Sequence, residues 1–498
     1  MTLSKFQTLF VSLLIVATGP VDANIKLADI AFESGDYQSA ITEYKAAAQA
    51  GNARALHTLG VIYNQGLGVE QDKNMVISWL TLAAQYDFKN SKKLASLLSA
   101  KLSPADKQNL VEQLQRLEPV YGKKSINTNI LPQLITNNLS KKVKFSNGDE
   151  SYLLDIEDDI IDNILDEEDL DLSVDSDFSD EFSSSYVSNT SMRSQKSPYL
   201  LIADLSIAAD GTVRHIDVIQ QYGSIRRALR QLIEVKFAKP IFNESTIPFF
   251  KRVRLGLAQQ HLNVSDLRTD YKKIYSGIRH ITNKRKNDLL TPSDQYLYAV
   301  VLMAFDGIKR QADEVETLLR QSADAGVAEA QYVLGSKMYR EQTNIKEATH
   351  WLIKAAQNGL ANAEYLVGEL CLTSPWIEID EHKAHFWLER AAKQGHELAL
   401  KRSAYIKLNA TDPKLRDAKT ALTYLQPLMN LNGDNPEILY LMALAYEQQD
   451  KRQRADAVRM IKDAIYRAEQ RGWDTKEWHD KLTTWTSGGN VTISNETY

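Results

Sequence analysis

Residues 326–359 read GVAEAQYVLGSKMYREQTNIKEATHWLIKAAQNG, and residues 359–395 read GLANAEYLVGELCLTSPWIEIDEHKAHFWLERAAKQG. Both carry a small-residue pair (Ala330 and Gly335; Ala363 and Gly368), then a tryptophan with paired alanines, then a glycine. The tryptophans are Trp351, with Ala355 and Ala356, and Trp387, with Ala391 and Ala392; the closing glycines are Gly359 and Gly395. A third copy lies far upstream, with Ala55, Gly60, Trp79, Ala83 and Ala84. Trp351 and Trp387 are 36 residues apart, and Gly60–Trp79 and Gly368–Trp387 both span 19. Gly335–Trp351 spans 16, so three residues are missing from that loop. Each unit reads as two antiparallel helices. Alanine lets the second helix pack closely, and glycine supplies the positive φ that ends it. Trp79, Trp351 and Trp387 share a helical face with these alanines, which assigns them to the core.

This pattern resembles the Sel-one-like repeat (SLR) family, a relative of the tetratricopeptide repeats (TPR). The family order is A-x-x-x-L-G, then G-x-G-V-x-x-D, then W-x-x-x-A-A-x-x-G. Residues 51–86 match it nearly throughout, with Gly66, Gly68, Val69 and Asp72 in place. Residues 326–359 and 359–395 lack the G-x-G loop. Degenerate units flank these: Ala28 to Ala50 with Gly35-Asp36-Tyr37, Tyr296 to Gly326, and Ala418 to Gly472. The resemblance implies a helical solenoid whose concave surface binds other proteins, with Gly60, Trp79, Gly335, Trp351, Gly368 and Trp387 as its structural positions. Because stacked repeats contact mainly their neighbours, little coupling is expected between the N-terminal and C-terminal blocks.

Composition agrees with a folded chain of several domains. Of 498 residues, 43% are hydrophobic and 25% charged, which excludes a collagen or a wholly disordered chain. One cysteine, Cys371, excludes an intrachain disulfide and a cysteine-based zinc site. No apolar run of about 18 residues offers a membrane span. Lys5, the apolar stretch Phe6–Ala17 and the small-residue site Val21-Asp22-Ala23 read as a cleaved secretory signal over residues 1–23.

Residues 149–192 hold 16 Asp or Glu and no Lys or Arg, leaving 48 acids against 59 bases elsewhere, a balance of +11. Such a block repels itself and reads as a disordered acidic linker. Ile160, Ile161, Ile164 and Leu165 keep helical spacing within it. Calcium binding is the rival reading, but a loop begun at Asp175 places Asp180 where glycine is needed and Tyr186 where the bidentate Glu belongs.

Residues 198–262 change period. Leu201, Ala203, Leu205 and Ile207 alternate as a strand, and Asp210-Gly211 is a hairpin turn. Thr212–Gln220 reads as the return strand, Ser224–Val235 as a helix and Ile247–Leu257 as a third strand. This ββαβ order, with Phe237-x-x-Pro240, resembles the C-terminal domain of TonB-like energy transducers. The resemblance implies a small sheet that accepts an extended peptide at an edge, in a Gram-negative cell envelope. Where a transducer has a membrane anchor and a proline-rich spacer, this chain has an apolar N-terminus that reads as cleavable and an acidic, serine-rich spacer, and the module is embedded between repeats, so energy coupling is not carried over. The expected edge is the third strand, where Lys251, Arg252 and Arg254 would favour an acidic peptide, including residues 149–182. The competing expectation is an edge already covered.

No phosphate-loop, dinucleotide or nucleophile-elbow motif occurs. His396-Glu397 begins like a zinc protease motif, but Leu400 stands where the second histidine belongs. His382 and His385 lack an evident third ligand, and Cys371 reads as a buried apolar residue. The basic run from Lys272 to Lys286 reads as a solvated helix face rather than a nucleic-acid surface.

The expected architecture is therefore mainly α: a helix-pair solenoid with a small α+β insert and a disordered acidic linker. Its parts are a signal (1–23), N-terminal repeats (24–120), a linker (121–197), the TonB-like module (198–262), C-terminal repeats (263–486) and a flexible tail (487–498). The expected function is a non-enzymatic periplasmic scaffold binding proteins or peptides, with no cofactor, no metal and no nucleic acid. The alternative is a cell-wall-related enzyme or enzyme accessory.

Overall fold

The computed structural model describes residues 24–146, 198–449 and 451–487. The signal, the acidic segment and most of the tail lie outside the described residues. The described residues form two compact units. One holds 24–142, 281–300 and 310–487; the other holds 143–146, 198–280 and 301–309.

The larger unit is helical. Its N-terminal block runs α1 (Asn24–Glu33), α2 (Tyr37–Gln49), α3 (Ala53–Gln65), α4 (Lys73–Ala84), α5 (Ser91–Ser99), α6 (Pro104–Tyr121) and α7 (Lys123–Asn129). The smaller unit contributes β1 (Lys144–Phe145), β2 (Leu200–Ile207), β3 (Val213–Tyr222), α8 (Arg226–Glu234), β4 (Pro240–Phe242), β5 (Ser245–Thr246), β6 (Phe249–Gly256) and α9 (Val264–Asp270). Then come α10 (Lys272–Lys286), α11 (Pro292–Ala304), α12 (Glu314–Asp324), α13 (Ala328–Glu341), α14 (Ile345–Gln357), α15 (Ala361–Thr373) and α16 (Glu381–Lys393). The chain closes with α17 (Glu397–Asn409), α18 (Ala418–Asn432), α19 (Pro436–Gln449), α20 (Arg454–Gln470) and α21 (Lys476–Thr486).

Local chemistry sets the helix boundaries. Asp72, Asn344 and Asp380 accept from backbone N–H groups at the starts of α4, α14 and α16. Pairs α3/α4, α13/α14 and α15/α16 pack through the repeat glycines. A Cβ on Gly60 would stand 3.1 Å from Leu80 Cγ, and one on Gly368 2.7 Å from Leu388 Cγ. On Gly335 it would stand 2.9 Å from both the Ala348 carbonyl oxygen and Leu352 Cγ. Each of these leucines follows its repeat tryptophan, so the glycine sits against the helix that carries the Trp. Trp79, Trp351 and Trp387 are all buried.

Two sequence expectations need correction. The repeats before and after the insert belong to one unit rather than two weakly coupled ends. Ile25 N–H donates to the Asn358 carbonyl at 3.2 Å, and Arg390 Nη1 donates to the Ala46 carbonyl at 2.7 Å. The linker expected from residue 121 is also structured to 146: Tyr121 and Ile126 are buried, and α7 falls inside it. A charge-based reading extended the linker too far upstream, because residues 121–146 carry little of the acidic signal.

In the smaller unit, β2 is central in an antiparallel sheet of order β3-β2-β6, with Leu201 opposite Leu255 and Ala203 opposite Val253. Ile225, just before α8, and Ala228 and Leu232 on it pack on that face. Gly211 adopts φ +90°, and a Cβ there would stand 2.3 Å from the Phe237 carbonyl oxygen; Phe237 N–H donates to the Gly211 carbonyl at 2.8 Å. The unit is richer than ββαβ. A second sheet, β1-β4-β5, turns through Asn243 and Glu244, both at positive φ. Asn-Glu lacks the usual glycine of a hairpin turn, which hid it from the sequence.

Candidate interaction surfaces

The repeat tryptophans do more than fill space. Trp387 Nε1 donates to the Ile130 carbonyl at 2.9 Å, and Trp376 Nε1 donates to the Lys141 carbonyl at 3.1 Å. Between them, Leu134 pairs with Ile377 in an antiparallel bridge. Ile135 N–H reaches the Trp376 carbonyl at 2.8 Å, Glu378 N–H reaches the Gln133 carbonyl at 2.9 Å, and the Asn138 amide reaches the Pro375 carbonyl at 2.7 Å. Residues 130–141 are therefore a strap, held on the third repeat chiefly through its main chain. The first repeat covers its Trp79 differently, with Tyr121 of α6 edge-on at 4.9 Å. In the middle repeat Trp351 Nε1 turns to Glu347 at 3.3 Å, and Arg320 pairs with that carboxylate.

Sequence reasoning missed the strap. The available signal was Ser374-Pro375-Trp376, standing in the third repeat where the first has its Gly66-x-Gly68 loop. That departure from the repeat pattern is the edge the strap pairs with.

A second surface runs along α15–α19. Arg402 makes two hydrogen bonds to Glu369 at 2.6 and 2.9 Å, and its guanidinium lies 5.1 Å from the Tyr405 ring centre. Burial opposes the Arg402 charge, but Glu369 and Glu437 hold its pKa above the ordinary value. Lys401 pairs with Glu437, and Lys407 reaches Glu389 at 3.3 Å. Glu364 is fully buried; Arg390 Nε and the Gln394 amide each donate to it at 2.7 Å. Burial pushes the Glu364 pKa up, and Arg390 and Gln394 act in the opposite direction. These pairs fix one helix to the next, and Tyr405 remains exposed among them.

On the smaller unit, β6 is the outer strand of its sheet among the described residues, paired with β2. The three cations expected to attract a peptide there are used within the unit. Arg252 makes two hydrogen bonds of 2.7 Å to Asp204, its neighbour across the sheet. Arg254 donates to the Ala258 carbonyl and lies 3.4 Å from the Ala304 carbonyl, and burial pushes its pKa down. Lys251 lies on the apolar side with its ammonium 5.3 Å from the Phe145 ring and 5.8 Å from the Phe237 ring. The positive charge expected along β6 is thus present, with these internal partners.

Reactive groups are quiet. Cys371 is buried, which pushes its thiol up to about 12 and away from a nucleophilic thiolate. His382 pairs with Asp412 at 3.1 Å, and among the described residues no three His, Cys, Asp or Glu side chains converge as metal ligands. His396 stacks on Tyr365, and its Nδ1 accepts from Ala399 N–H at the start of α17. Burial lowers its pKa to about 4.

The fold and these surfaces define a helical-repeat protein with a small inserted sheet. The family model for the Sel1 repeat matches three segments of it, residues 53–85, 328–360 and 361–396. A 59-residue stretch is 46% identical to chitin synthase regulatory factor 3 of Schizosaccharomyces pombe, covering 12% of this chain. The chain spans 6% of the length of that relative. Among solved structures, it is similar to a Sel1 repeat protein from Oxalobacter formigenes, with 20% identity over 46% of this chain and 96% of that one, and a TM-score of 0.32. It is also similar to a protective antigen of uropathogenic Escherichia coli strains that displays an SLR fold, with 17% identity over 95% of this chain and 88% of that one, and a TM-score of 0.27.

Proposed function

We propose that the protein is a non-enzymatic scaffold or adaptor of the cell envelope, exported to the periplasm of a Gram-negative bacterium. It binds proteins or peptides through its Sel1 repeats and its TonB-like module. The observation that carries the scaffold reading is the strap: the third repeat already holds an extended polypeptide by indole and main-chain hydrogen bonds. The match to a regulatory factor in Schizosaccharomyces pombe is in keeping with action exerted on another protein. Export rests on the Lys5, Phe6–Ala17 and Val21-Asp22-Ala23 pattern. The TonB-like reading rests on the β3-β2-β6 sheet with α8 packed on it, and on β6 as the outer strand of that sheet among the described residues.

Two measurements test this. Intact mass after expression in a Gram-negative host should give a periplasmic chain beginning at Asn24; retention of residues 1–23 in the cytoplasm sinks the export reading. Photo-crosslinking from positions on β6 and α17 in envelope extract should give discrete protein adducts. Adducts to sugar polymer together with release of soluble cell-wall fragments would favour the enzyme alternative instead.

A further inference from the structure

Helix α8 carries Arg226, Arg227 and Arg230, spaced so that all three share one side of the helix. The opposite side is apolar and packs Ala228 and Leu232 on the sheet. Arg226 and Arg230 are exposed and Arg227 is half-buried. Among the described residues no carboxylate pairs with any of the three. The helix itself gains nothing from them. Arg226 and Arg227 stand in its first turn, where the positive end of the macrodipole disfavours cations, and no side chain caps that end. Several other cations singled out in the sequence are committed: Arg252 to Asp204, Arg254 to carbonyls, Lys284 to Asp294 and Arg285 to Glu314.

The chain outside the structure between 146 and 198 is 51 residues long and includes the 16-acid block. Both of its attachment points flank α8. On one side, Ser146 N–H donates to the Lys239 carbonyl at 3.0 Å, and Lys239 N–H to Ser146 Oγ at 3.1 Å, just beyond the C-terminal end of α8. On the other, Gly223 lies so close to Pro198 that a Cβ would stand 2.5 Å from the Pro198 carbonyl oxygen, three residues before α8 begins. The acidic segment is thus tethered at both ends of the helix whose arginines have no counter-charge.

We propose that the arginine face of α8 seats the chain's own acidic segment, residues 149–182. Lys236 and Lys239 extend the basic surface toward the exit at Ser146. Arginine suits this task because its guanidinium pairs with carboxylates in two-pronged fashion without requiring a fixed sequence. Tethering at both ends, through two residues on one side and fifteen on the other, raises the effective concentration of the segment over α8, so modest pair energies suffice. An acidic partner protein would then have to displace the segment before reaching these arginines.

The test is zero-length carbodiimide coupling in the full-length chain, read by mass spectrometry. Cross-links from carboxylates of 149–182 to Lys236 or Lys239 are expected. They should fade as salt rises from about 0.05 to about 0.5 M. In the Arg226→Glu/Arg227→Glu/Arg230→Glu variant they should fall about tenfold, since exposed pairs are individually weak and the reversed charges repel the acidic segment. The Arg226→Lys/Arg227→Lys/Arg230→Lys variant should keep most of them, and circular dichroism checks that both variants fold. Cross-links indifferent to the charge reversal, or directed to Lys272–Lys286, overturn the proposal. So do cross-links that join isotopically distinct chains, which would make a second copy the occupant.

Discussion

The Asn52 amide donates to Asn358 Oδ1 at 2.9 Å although the two residues are 306 positions apart. Asn52 also donates to the Gln357 carbonyl, while its own Oδ1 accepts from Ala55 N–H and so caps α3. Asn358 continues the chain by donating to Gln331, whose amide donates to the Ala323 carbonyl. The turn after α2 and the turn after α14 are therefore locked by one polar network.

Asn52→Ala removes a helix cap and leaves buried partners unsatisfied. A loss of about 2–3 kcal/mol is expected, combining the usual cap cost with an unpaired polar group. In a double-mutant cycle with Asn358→Ala, chemical denaturation should show coupling of about 0.5 kcal/mol or more. Strict additivity would mean that the two turns do not support each other.

Trp387→Phe keeps a large ring but deletes the donor to Ile130. We expect about 1–2 kcal/mol of destabilisation from the lost hydrogen bond. Faster amide exchange should appear in residues 130–141, with α20 and α21 unaffected. Unchanged exchange in the strap would show that the indole N–H does not hold it.

The repeat glycines should differ in their tolerance of alanine. Gly335→Ala meets a backbone carbonyl, which moves little, and should cost about 1–3 kcal/mol. Gly60→Ala meets the Leu80 side chain at 3.1 Å and the Val76 carbonyl oxygen at an ordinary 3.5 Å, and should cost less. Thermal denaturation that ranks Gly60→Ala as the more damaging would contradict the close-packing account.

His396 makes stability depend on pH. Its folded pKa of about 4 lies below the ordinary histidine value near 6.5. Stability is therefore complete above about pH 6.5 and declines as pH falls toward 4, because only the unfolded chain binds the proton in that window. The ring is partly exposed, so the loss should be about 1–3 kcal/mol. His396→Asn retains a capping side chain and should flatten the denaturation profile between pH 6.5 and 4. An equally steep decline in that variant would assign the effect elsewhere.

The edge of β6 should be open to hydrogen exchange on its outer side. Backbone N–H groups of 249–256 that face away from β2 should exchange faster than those bonded to it, and a bound peptide should slow them. Uniform protection in the isolated full-length chain would show the edge to be covered.

Much of the helical architecture was legible because its signals are local. The Trp-Ala-Ala spacing marks the packed face of each second helix, and the glycines mark helix ends and close contacts. The alternating apolar residues of Leu201–Ile207 likewise announced β2. What escaped depends on partners distant in the chain. Nothing near Asn52 reveals Asn358, and nothing near Ile130 reveals Trp387. Charge counting on Lys251, Arg252 and Arg254 also missed their internal partners, because these depend on what lies across the sheet. Asp204 sits opposite Arg252, and that register was not readable from either strand alone.

The lock between Asn52 and Asn358 also constrains the order of events during synthesis. At about 5–20 residues per second, the ribosome needs roughly 15–60 s to make the partner turn after the first has emerged. For that interval α1–α4 exist with Asn52, the Ile25 N–H and the Ala46 carbonyl lacking their eventual partners. The first repeats must wait half-finished, and a nascent-chain binding factor that recognises this edge would compete for the same atoms that Asn358 and Arg390 later occupy.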